Sequence, residues 1–573
     1  MKLASGAVRD TLTTGVSPPA RQRYASLPIA SLILSLFVAG SAHAGSVTVV
    51  KRAALSTSSP YATQIGLNVL RRQGNALDAA VAVSFALAVA HPQAGNLGGG
   101  GYLVYYEAAS GGVWTLDFTP VTPLAAKPEM FRKSAPPSAA ALRAGVPGTV
   151  AGLAEAHRRF GHLKWIDLVA PSVRLAREGV RISSELSADL LEAKESRRID
   201  EFPSTGSIYY PAGVARTAAS LLVQTDLADS LERIGRSGAP EFYEGAVSRK
   251  VIATMRKSGG IITERDLREY RPFWRAPFRI EYGKYSILTM APPSTGGMLI
   301  AQTLGILNGF NLAQSGFQTA RSIHLIAEAE RRAHIDSRRY LGDPASTRIP
   351  YKELLSAERA EQWRRSIIPD RATPTAALGA PERTESPNTT HVSIVDADGN
   401  IASLTTTLSS NFGSGLIVEN AGFFLNNAMD EFLAADAGPS GGPSASGVQA
   451  GRKSISSLAP AIILRSGKPF LAIGTPGGET IPTTILQVLL NLTVYQMTLP
   501  QAVAAGRFHH QAVPDQLYFE KDRAPADLVR KLNEMGHGVL ERASIGDVHA
   551  VQIGEEGLTA VADPRHGGSA GGY

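Results

Sequence analysis

The sequence predicts a mixed α/β fold in which antiparallel sheets are covered by layers of helices. Two β-hairpins support this, one over residues 391–408 and one over residues 461–473, each with strand-like runs on both sides of a turn that contains glycine. Many apolar or amphipathic helical segments flank them, and they are expected to cover the outer faces of the sheets. The 573 residues are 44% hydrophobic and 19% charged, which is typical of a large globular protein.

The N-terminus has the features of a secretory signal. Arg21 and Arg23 precede an apolar run over Leu27–Gly40, and small residues follow up to Ala44. This order predicts a signal peptide over residues 1–44, cleaved after Ala44, and a periplasmic or secreted mature protein. The apolar run is short for a membrane-spanning helix, which disfavours a permanent anchor.

Composition excludes several kinds of chemistry. The chain has no cysteine, so disulfides, thiol catalysis and cysteine-ligated metals are ruled out. The formal charge is +7, but no Lys/Arg run with interleaved aromatics indicates nucleic-acid binding. The adjacent His509 and His510 point apart on a helix or strand and have no third ligand at zinc spacing. We therefore predict no metal and no cofactor.

The first elements of the chain are two helices and a strand. Ser59 is a capping residue before a helix over residues 60–72, and a strongly apolar helix follows at Ala76–Ala90. The glycines at Gly98–Gly101 lead into a strand at Tyr102–Tyr106, whereas a phosphate-binding loop opens a helix. We interpret these glycines as close backbone packing around a site.

Further helices are predicted downstream. The last of them has a charged face that we expect to be solvated or in contact with a subunit. A strand is predicted at residues 114–118, helices at 147–160, 165–178, 298–307 and 323–339, and the start of another helix at Thr263. The charged face of helix 323–339 consists of Glu328, Glu330, Arg331 and Arg332.

A proline-containing segment, residues 370–387, precedes the first hairpin and is expected to be exposed and extended. If the bond between Asn388 and Thr389 is cut, Thr389 becomes an N-terminus with a hydroxyl and a free amine. The amine can take the hydroxyl proton, so the residue carries both nucleophile and base. From the residues alone, a threonine-rich edge strand is the favoured interpretation.

The segment Asn388-Thr389-Thr390-His391-Val392-Ser393 resembles the processing site of the γ-glutamyltranspeptidase family, which are self-cleaving N-terminal nucleophile hydrolases. The resemblance continues in family order through residues 74–80, 91–101, 146–152, 340–344, 425–427, 456–457, 474–478 and 507–511. It implies a four-layer αββα sandwich made of a large chain, 45–388, and a small chain, 389–573. It also implies cleavage of γ-glutamyl amides such as glutathione through an acyl-enzyme on Thr389.

The same resemblance implies roles for five other residues. Thr407 would hydrogen-bond the nucleophile, and the backbone of Gly477 and Gly478 would stabilise the oxyanion. Ser456 and Ser457 would hydrogen-bond the substrate carboxylate. Without the resemblance, Thr407 could belong to a threonine ladder, and the glycines could form an ordinary turn at the end of a strand.

Four substrate positions depart from the family pattern. Thr119 stands where the family has an arginine, and threonine cannot replace a bidentate guanidinium. Ala428 lacks a polar contact, Glu431 replaces an aspartate that receives the α-amino group, and Ser409 is often asparagine. The stretch after Phe432 lacks the tyrosine of the lid found in some relatives.

These departures leave two alternatives to an ordinary γ-glutamyl specificity. One is an autoprocessing acylase for a dicarboxylic acyl chain without the α-amino group, as in the glutaryl-cephalosporin acylases. The other is an exported binding relative that folds without cleaving itself.

Overall fold

The structure is a computed structural model, and it describes residues 46–131, 137–379, 388–433 and 447–573. Outside these ranges lie the predicted signal peptide with its cleavage site after Ala44 and the end of the proline-containing segment. Most of the stretch after Phe432, where some relatives have a lid, also lies outside them.

The described residues form strands that assemble mainly into two large sheets. In chain order the strands are β1 (Val47–Val50), β2 (Ala54–Thr57), β3 (Gly100–Glu107), β4 (Gly112–Asp117), β5 (Val180–Arg181), β6 (Leu221–Leu222), β7 (Phe273–Arg275), β8 (Phe278–Tyr282), β9 (Tyr285–Thr289), β10 (Asn388–Val395), β11 (Ile401–Ser409), β12 (Ala461–Arg465), β13 (Lys468–Gly474), β14 (Phe508–His510), β15 (Leu517–Glu520), β16 (Val539–Arg542), β17 (His549–Gly554), β18 (Gly557–Ala562) and β19 (Ser569–Gly572).

Helices precede, separate and follow these strands. They are α1 (Pro60–Arg71), α2 (Ala76–Ala90), α3 (Thr149–Phe160), α4 (Trp165–Glu178), α5 (Ser184–Arg197), α6 (Pro203–Tyr209), α7 (Thr225–Ser237), α8 (Pro240–Tyr243), α9 (Ala246–Ser258), α10 (Glu264–Glu269), α11 (Gly296–Leu307), α12 (Leu312–Ser315), α13 (Ala320–Tyr340), α14 (Tyr351–Leu354), α15 (Ala357–Arg365), α16 (Asp430–Leu433), α17 (Thr480–Thr493), α18 (Leu499–Ala504) and α19 (Ala526–Glu534).

Two antiparallel seven-stranded sheets form the centre of the described part of the chain. The strand order is β19-β2-β10-β11-β3-β4-β7 in sheet 1 and β1-β18-β17-β13-β12-β9-β8 in sheet 2. The sheets pack face to face, with β10 and β11 against β13 and β17. Helix α2 covers the outer face of sheet 1, and α11, α17 and α18 cover sheet 2. The predicted αββα sandwich is therefore confirmed.

Alternation along the strands explains the layers. Val392 and Ile394 of β10 join the core beneath α1 and α2, whereas Val395 joins the core shared with sheet 2. Because side chains of a strand point alternately to its two faces, both faces of this strand are buried. Helix α2 is buried at every position except its last, Ala90, as its strongly apolar sequence predicts.

The glycine-rich segment packs closely around the site, as expected. A Cβ atom on Gly99 would lie 2.1 Å from the carbonyl oxygen of Thr407, and one on Gly101 would lie 2.3 Å from that of Thr405. Real Cβ atoms do not approach so closely, so only glycine lets β3 and its preceding turn lie against β11.

Three local expectations are wrong. Ser59 precedes α1 but makes no side-chain capping bond. The charged face of α13 is buried: Glu328 is fully buried, and its carboxylate bonds Arg331 and Arg332. The first part of the proline-containing segment is packed, because Thr375 is 4% exposed and its N–H donates to Asp515.

Within the described ranges no helix combines the length and apolarity that a membrane crossing requires.

Candidate active site

Thr389 is the second residue of β10, and that strand lies between β2 and β11. The interpretation as an edge strand is therefore wrong. The side chain is buried, with 3% of its surface exposed. The ladder to β11 is irregular between Asn388 and Thr390, so the proposed scission point coincides with a break in regular pairing.

Thr389 lines two cavities. The small cavity has a volume of about 20 Å³ and brings together nine of the residues singled out in the sequence: Thr119, Thr389, Thr407, Ser409, Ala428, Glu431, Ser456, Ser457 and Gly478. The large cavity has a volume of about 200 Å³, and its lining includes Gly477 and Thr389 with His91, Glu185, Asp189, Asn411, Arg542, Asp547 and His566.

Thr119 lies in the small cavity, but its hydroxyl is already engaged. It donates to Oδ1 of Asp117 at 2.7 Å, and the backbone N–H of Thr119 donates to the same oxygen at 3.1 Å. Lys453 Nζ also donates to that oxygen, at 2.6 Å, and Arg275 binds Oδ2. Burial disfavours the charged carboxylate, but these two cations outweigh burial and hold the pKa of Asp117 below its usual range.

Gly477 and Gly478 form the turn before α17, and both have positive φ, +136° and +58°. A positive φ favours glycine. Because the pair lies just before the N-terminus of α17, it is close to the positive end of the helix dipole. The hydroxyl of Ser457 donates to the carbonyl oxygen of Gly478 at 2.7 Å. The next residue, Glu479, is bonded by Nδ1 of His334 at 2.9 Å, which ties the turn to α13.

Ser409 and Thr407 lie at the end of β11 and face the small cavity. The backbone N–H of Ser409 donates to Thr407 Oγ1 at 2.8 Å, and Ser409 has φ +78°. A left-handed conformation is tolerated best by glycine and asparagine, which agrees with the asparagine that the family often has here. Glu431, 7% exposed, is the carboxylate of this cavity.

His391 has a structural environment. Its ring bonds Thr405 Oγ1 at 2.7 Å and Ser393 Oγ at 3.0 Å between the two sheets. Burial lowers its pKa well below the usual range, so the ring is neutral. A Cβ on Gly474 would lie 2.3 Å from this ring, so β13 must carry glycine there.

A second buried histidine connects β10 to the large cavity. His549 Nε2 lies 3.0 Å from Ser58 Oγ and 3.1 Å from Asp547 Oδ2, and Ser58 Oγ lies 2.9 Å from Thr390 Oγ1. Burial raises the pKa of Asp547, but the interaction with His549 outweighs burial and leaves the pKa lowered.

The large cavity contains both paired and unpaired charges. His566 Nδ1 lies 3.2 Å from Glu185 Oε1, and although burial opposes it, this bond raises the pKa of His566 to about 9. Burial and the charge of Glu185 raise the pKa of Asp189 to about 7. Burial lowers the pKa of His91, which is therefore neutral.

Sequence reasoning missed the large cavity. Its charged residues come from the end of α2, from α5 and from the region after β16, far apart in the chain, and each alone looks like an ordinary surface charge. His509 Nδ1 lies 2.9 Å from Thr483 Oγ1, and His510 Nε2 lies 3.3 Å from Asp515 Oδ1. In the described residues no cluster of three or more His, Asp or Glu side chains could hold a metal ion.

The αββα sandwich is the fold of the N-terminal nucleophile hydrolases, and here Thr389 lies on a central strand and lines two cavities. The chain is similar to a cephalosporin acylase from Bacillus halodurans, with a TM-score of 0.82 and 24% identity over 92% of this chain and 97% of the other. This likeness concerns the fold alone. It is also similar to Helicobacter pylori gamma-glutamyltranspeptidase, with 39% identity and a TM-score of 0.53 over 56% of this chain and 93% of that chain.

The family is established by sequence. The family profile described as Gamma-glutamyltranspeptidase matches residues 62–573. The Glutathione hydrolase proenzyme of Escherichia coli strain K12 is 37% identical over 528 residues, which cover 90% of each chain. The chain belongs to the γ-glutamyltranspeptidase family.

Proposed function

We propose that this chain is a self-processing, exported amidohydrolase and acyltransferase that cleaves γ-glutamyl amides of the glutathione type. The observation that carries the proposal is the placement of Thr389, buried at the start of a central strand, on the same small cavity as Thr407, Glu431 and Gly478. Family membership and relatives named as glutathione hydrolase proenzymes support it.

Maturation would use the same hydroxyl as catalysis. Thr389 Oγ1 attacks the carbonyl carbon of Asn388, the peptide C–N bond breaks, and water hydrolyses the resulting ester. This frees the α-amine of Thr389 and gives a large chain, 45–388, and a small chain, 389–573. An amine with a pKa near ~8 can then serve as the base for the neighbouring hydroxyl.

The substrate reaction then proceeds in two steps. The hydroxyl gives its proton to the α-amine as it attacks the amide carbon, and the backbone N–H groups of Gly477 and Gly478 stabilise the oxyanion. The leaving amine takes the proton as the C–N bond breaks, which leaves an ester on Thr389. Water or an acceptor amine cleaves that ester and restores the hydroxyl.

The small cavity supplies the recognition of a glutamyl group. Glu431 would accept the α-ammonium, and the hydroxyl of Ser456 would donate to the α-carboxylate. The hydroxyl of Ser457 donates to the carbonyl oxygen of Gly478, so Ser457 would act by holding the glycine turn beside the substrate. At about 20 Å³ the cavity has room for only about one water molecule, so its lining must move apart to admit an acyl chain.

A glutaryl-type acyl group is a second candidate, favoured by Thr119 and Ala428. The hydroxyl proton of Thr119 is directed to Asp117, so Thr119 offers a substrate carboxylate no donor. Ala428 offers no polar contact. An acyl chain without the α-amino group would depend less on such contacts, although it would bring no ammonium group to Glu431.

Mass spectrometry of the purified protein and two anilide substrates test the proposal. We expect the mass spectrum to show two chains, one that ends at Asn388 and one that begins at Thr389. We also expect p-nitroaniline to be released faster from the γ-glutamyl anilide than from the glutaryl anilide. Thr389→Ala should remain one chain, and Thr389→Ser should still divide. An intact wild-type chain without activity would instead support a non-cleaving binding relative.

A further inference from the structure

The two halves of an amide need separate space on the two sides of the attacked carbon. Thr389 lines the small cavity, which holds the acyl-recognition residues, and also the large cavity of about 200 Å³. The large cavity contains Gly477 but none of Glu431, Ser456 or Ser457. It is therefore the space available to the amine half, whether as leaving group or as acceptor.

Asp547 gives this cavity an unsatisfied acceptor. It is 4% exposed, and its Oδ2 faces His549 at 3.1 Å. Its Oδ1 is buried and has no hydrogen-bond partner among the residues that the structure describes. A buried carboxylate oxygen without a donor is costly, so a ligand that brings an N–H or ammonium group to this position would be stabilised.

Asp189 is a second carboxyl group. With its pKa raised to about 7 by burial and Glu185 it is about half ionised at neutral pH, and a bound cation would favour its charged form. Asn411 Nδ2 lies 3.3 Å from its Oδ1, and its close charged neighbour, Glu185, has the same sign. Glu185 itself is paired with His566, so that pair contributes no net charge.

The cations near the cavity do not cancel both carboxylates. Arg542 is partly exposed, and its guanidinium stacks on the ring of Tyr518 at 3.6 Å, at the end of β16. His91 is neutral, and His549 is shared between Asp547 and two serine hydroxyls. The interior of the cavity therefore presents Asp189 and Asp547 to whatever binds there.

We propose that the large cavity is the amine subsite and that Asp189 and Asp547 select amines with a second positive charge, such as a lysine-type side chain. The inference rests on the proposed acyl transfer for its catalytic meaning. The attacking amine must be uncharged to react, so the carboxylates would bind the second, protonated group of the same molecule. Released or acceptor amines of this class would be held while the ester on Thr389 is formed or cleaved.

Acyl transfer to two matched acceptors tests the selectivity. Lysinamide and norleucinamide have the same chain length and α-amine, but only lysinamide has the side-chain ammonium. With a γ-glutamyl anilide as donor, we expect kcat/KM for lysinamide to be about tenfold higher, which corresponds to ~1.4 kcal/mol. Asp189→Asn and Asp547→Asn should each bring the ratio towards one, whereas Glu195→Gln, an exposed charge on α5 outside the cavity, should leave it unchanged.

Direct binding separates this inference from the proposed chemistry. Thr389→Ala in the full-length chain cannot process or acylate itself, but it retains both carboxylates. By calorimetry we expect it to bind lysinamide about tenfold more tightly than norleucinamide. Equal affinity, or equal transfer to both acceptors by active enzyme, would overturn the selectivity while leaving acyl transfer intact. Preferential binding by a protein that never forms an acyl-enzyme would support the subsite and refute only the proposed function.

Discussion

The bond between Thr119 and Asp117 predicts that Thr119→Val affects stability more than catalysis. The substitution keeps the shape of the side chain but removes the donor to Asp117 Oδ1. A hydrogen bond to a charged group contributes about 1.5–3 kcal/mol. Asp117 keeps Lys453, Arg275 and the N–H of residue 119, so we expect the lower end, a loss of about 1.5 kcal/mol in the free energy of unfolding.

Urea unfolding and initial rates with a γ-glutamyl anilide measure the two effects in the same preparation. Because the hydroxyl proton is committed to Asp117, kcat/KM should change by less than about threefold, or ~0.65 kcal/mol. Thr119→Ser keeps the donor and serves as the matched control. A loss of tenfold or more in kcat/KM with unchanged stability would mean that Thr119 donates to substrate and would refute the reasoning.

Three further predictions concern buried groups. Glu328→Gln leaves two arginines without their carboxylate and should lower the free energy of unfolding by about 3–5 kcal/mol at pH 7 in urea titrations. Because the folded-state pKa of Glu328 is lowered to about 2, the wild-type contribution should be present above pH ~4.3 and disappear as pH falls towards 2. His566 should give the opposite pH dependence, because its pKa is raised to about 9 in the folded state. Its pairing with Glu185 should stabilise the fold fully below pH ~6.5, and this contribution should be lost as pH rises through about 9. In thermal melts, His566→Gln should reduce the dependence of melting temperature on pH over this range. Gly474→Ala places a methyl group against the ring of His391, so we expect less soluble protein and a lower melting temperature; wild-type yield and melting would contradict the close packing between the sheets.

Much of the fold followed from local pattern. Helix α2 is indicated by its apolar run, and the two hairpins by alternation and turn glycines; their predicted bounds agree with the structure within three residues. The charged residues of α13 show where such reasoning stops. Glu328 and Arg332 have the spacing of a solvated face, but the carboxylate is buried between arginines whose other partners, such as Ser366 and Thr375, come from distant segments. Sequence spacing cannot reveal those partners.

The candidate site divides in the same way. The small cavity collects residues that a family pattern can identify one by one, from Thr119 to Gly478. The large cavity depends on side chains from α5 and from the region around β16, and only the packing of the sandwich brings Asp189 and Asp547 to Thr389. The hydroxyl of Thr119 bonds a carboxylate only two residues away, but Lys453 and Arg275, which hold that carboxylate charged, come from distant segments.

The order of strands in sheet 1 determines what scission after Asn388 would do to the molecule as a whole. Strand β2 would belong to the large chain, yet it is hydrogen-bonded on one edge to β10 and on the other to β19, both of the small chain. Separating the products would break these two ladders and also the pairings of β3 with β11, β1 with β18 and β9 with β12, so dilution alone should never release a free partner. If the two chains were synthesised separately, β2 of the large chain would have to insert between β10 and β19 of the small chain. A single precursor is therefore the practical route to an assembled heterodimer.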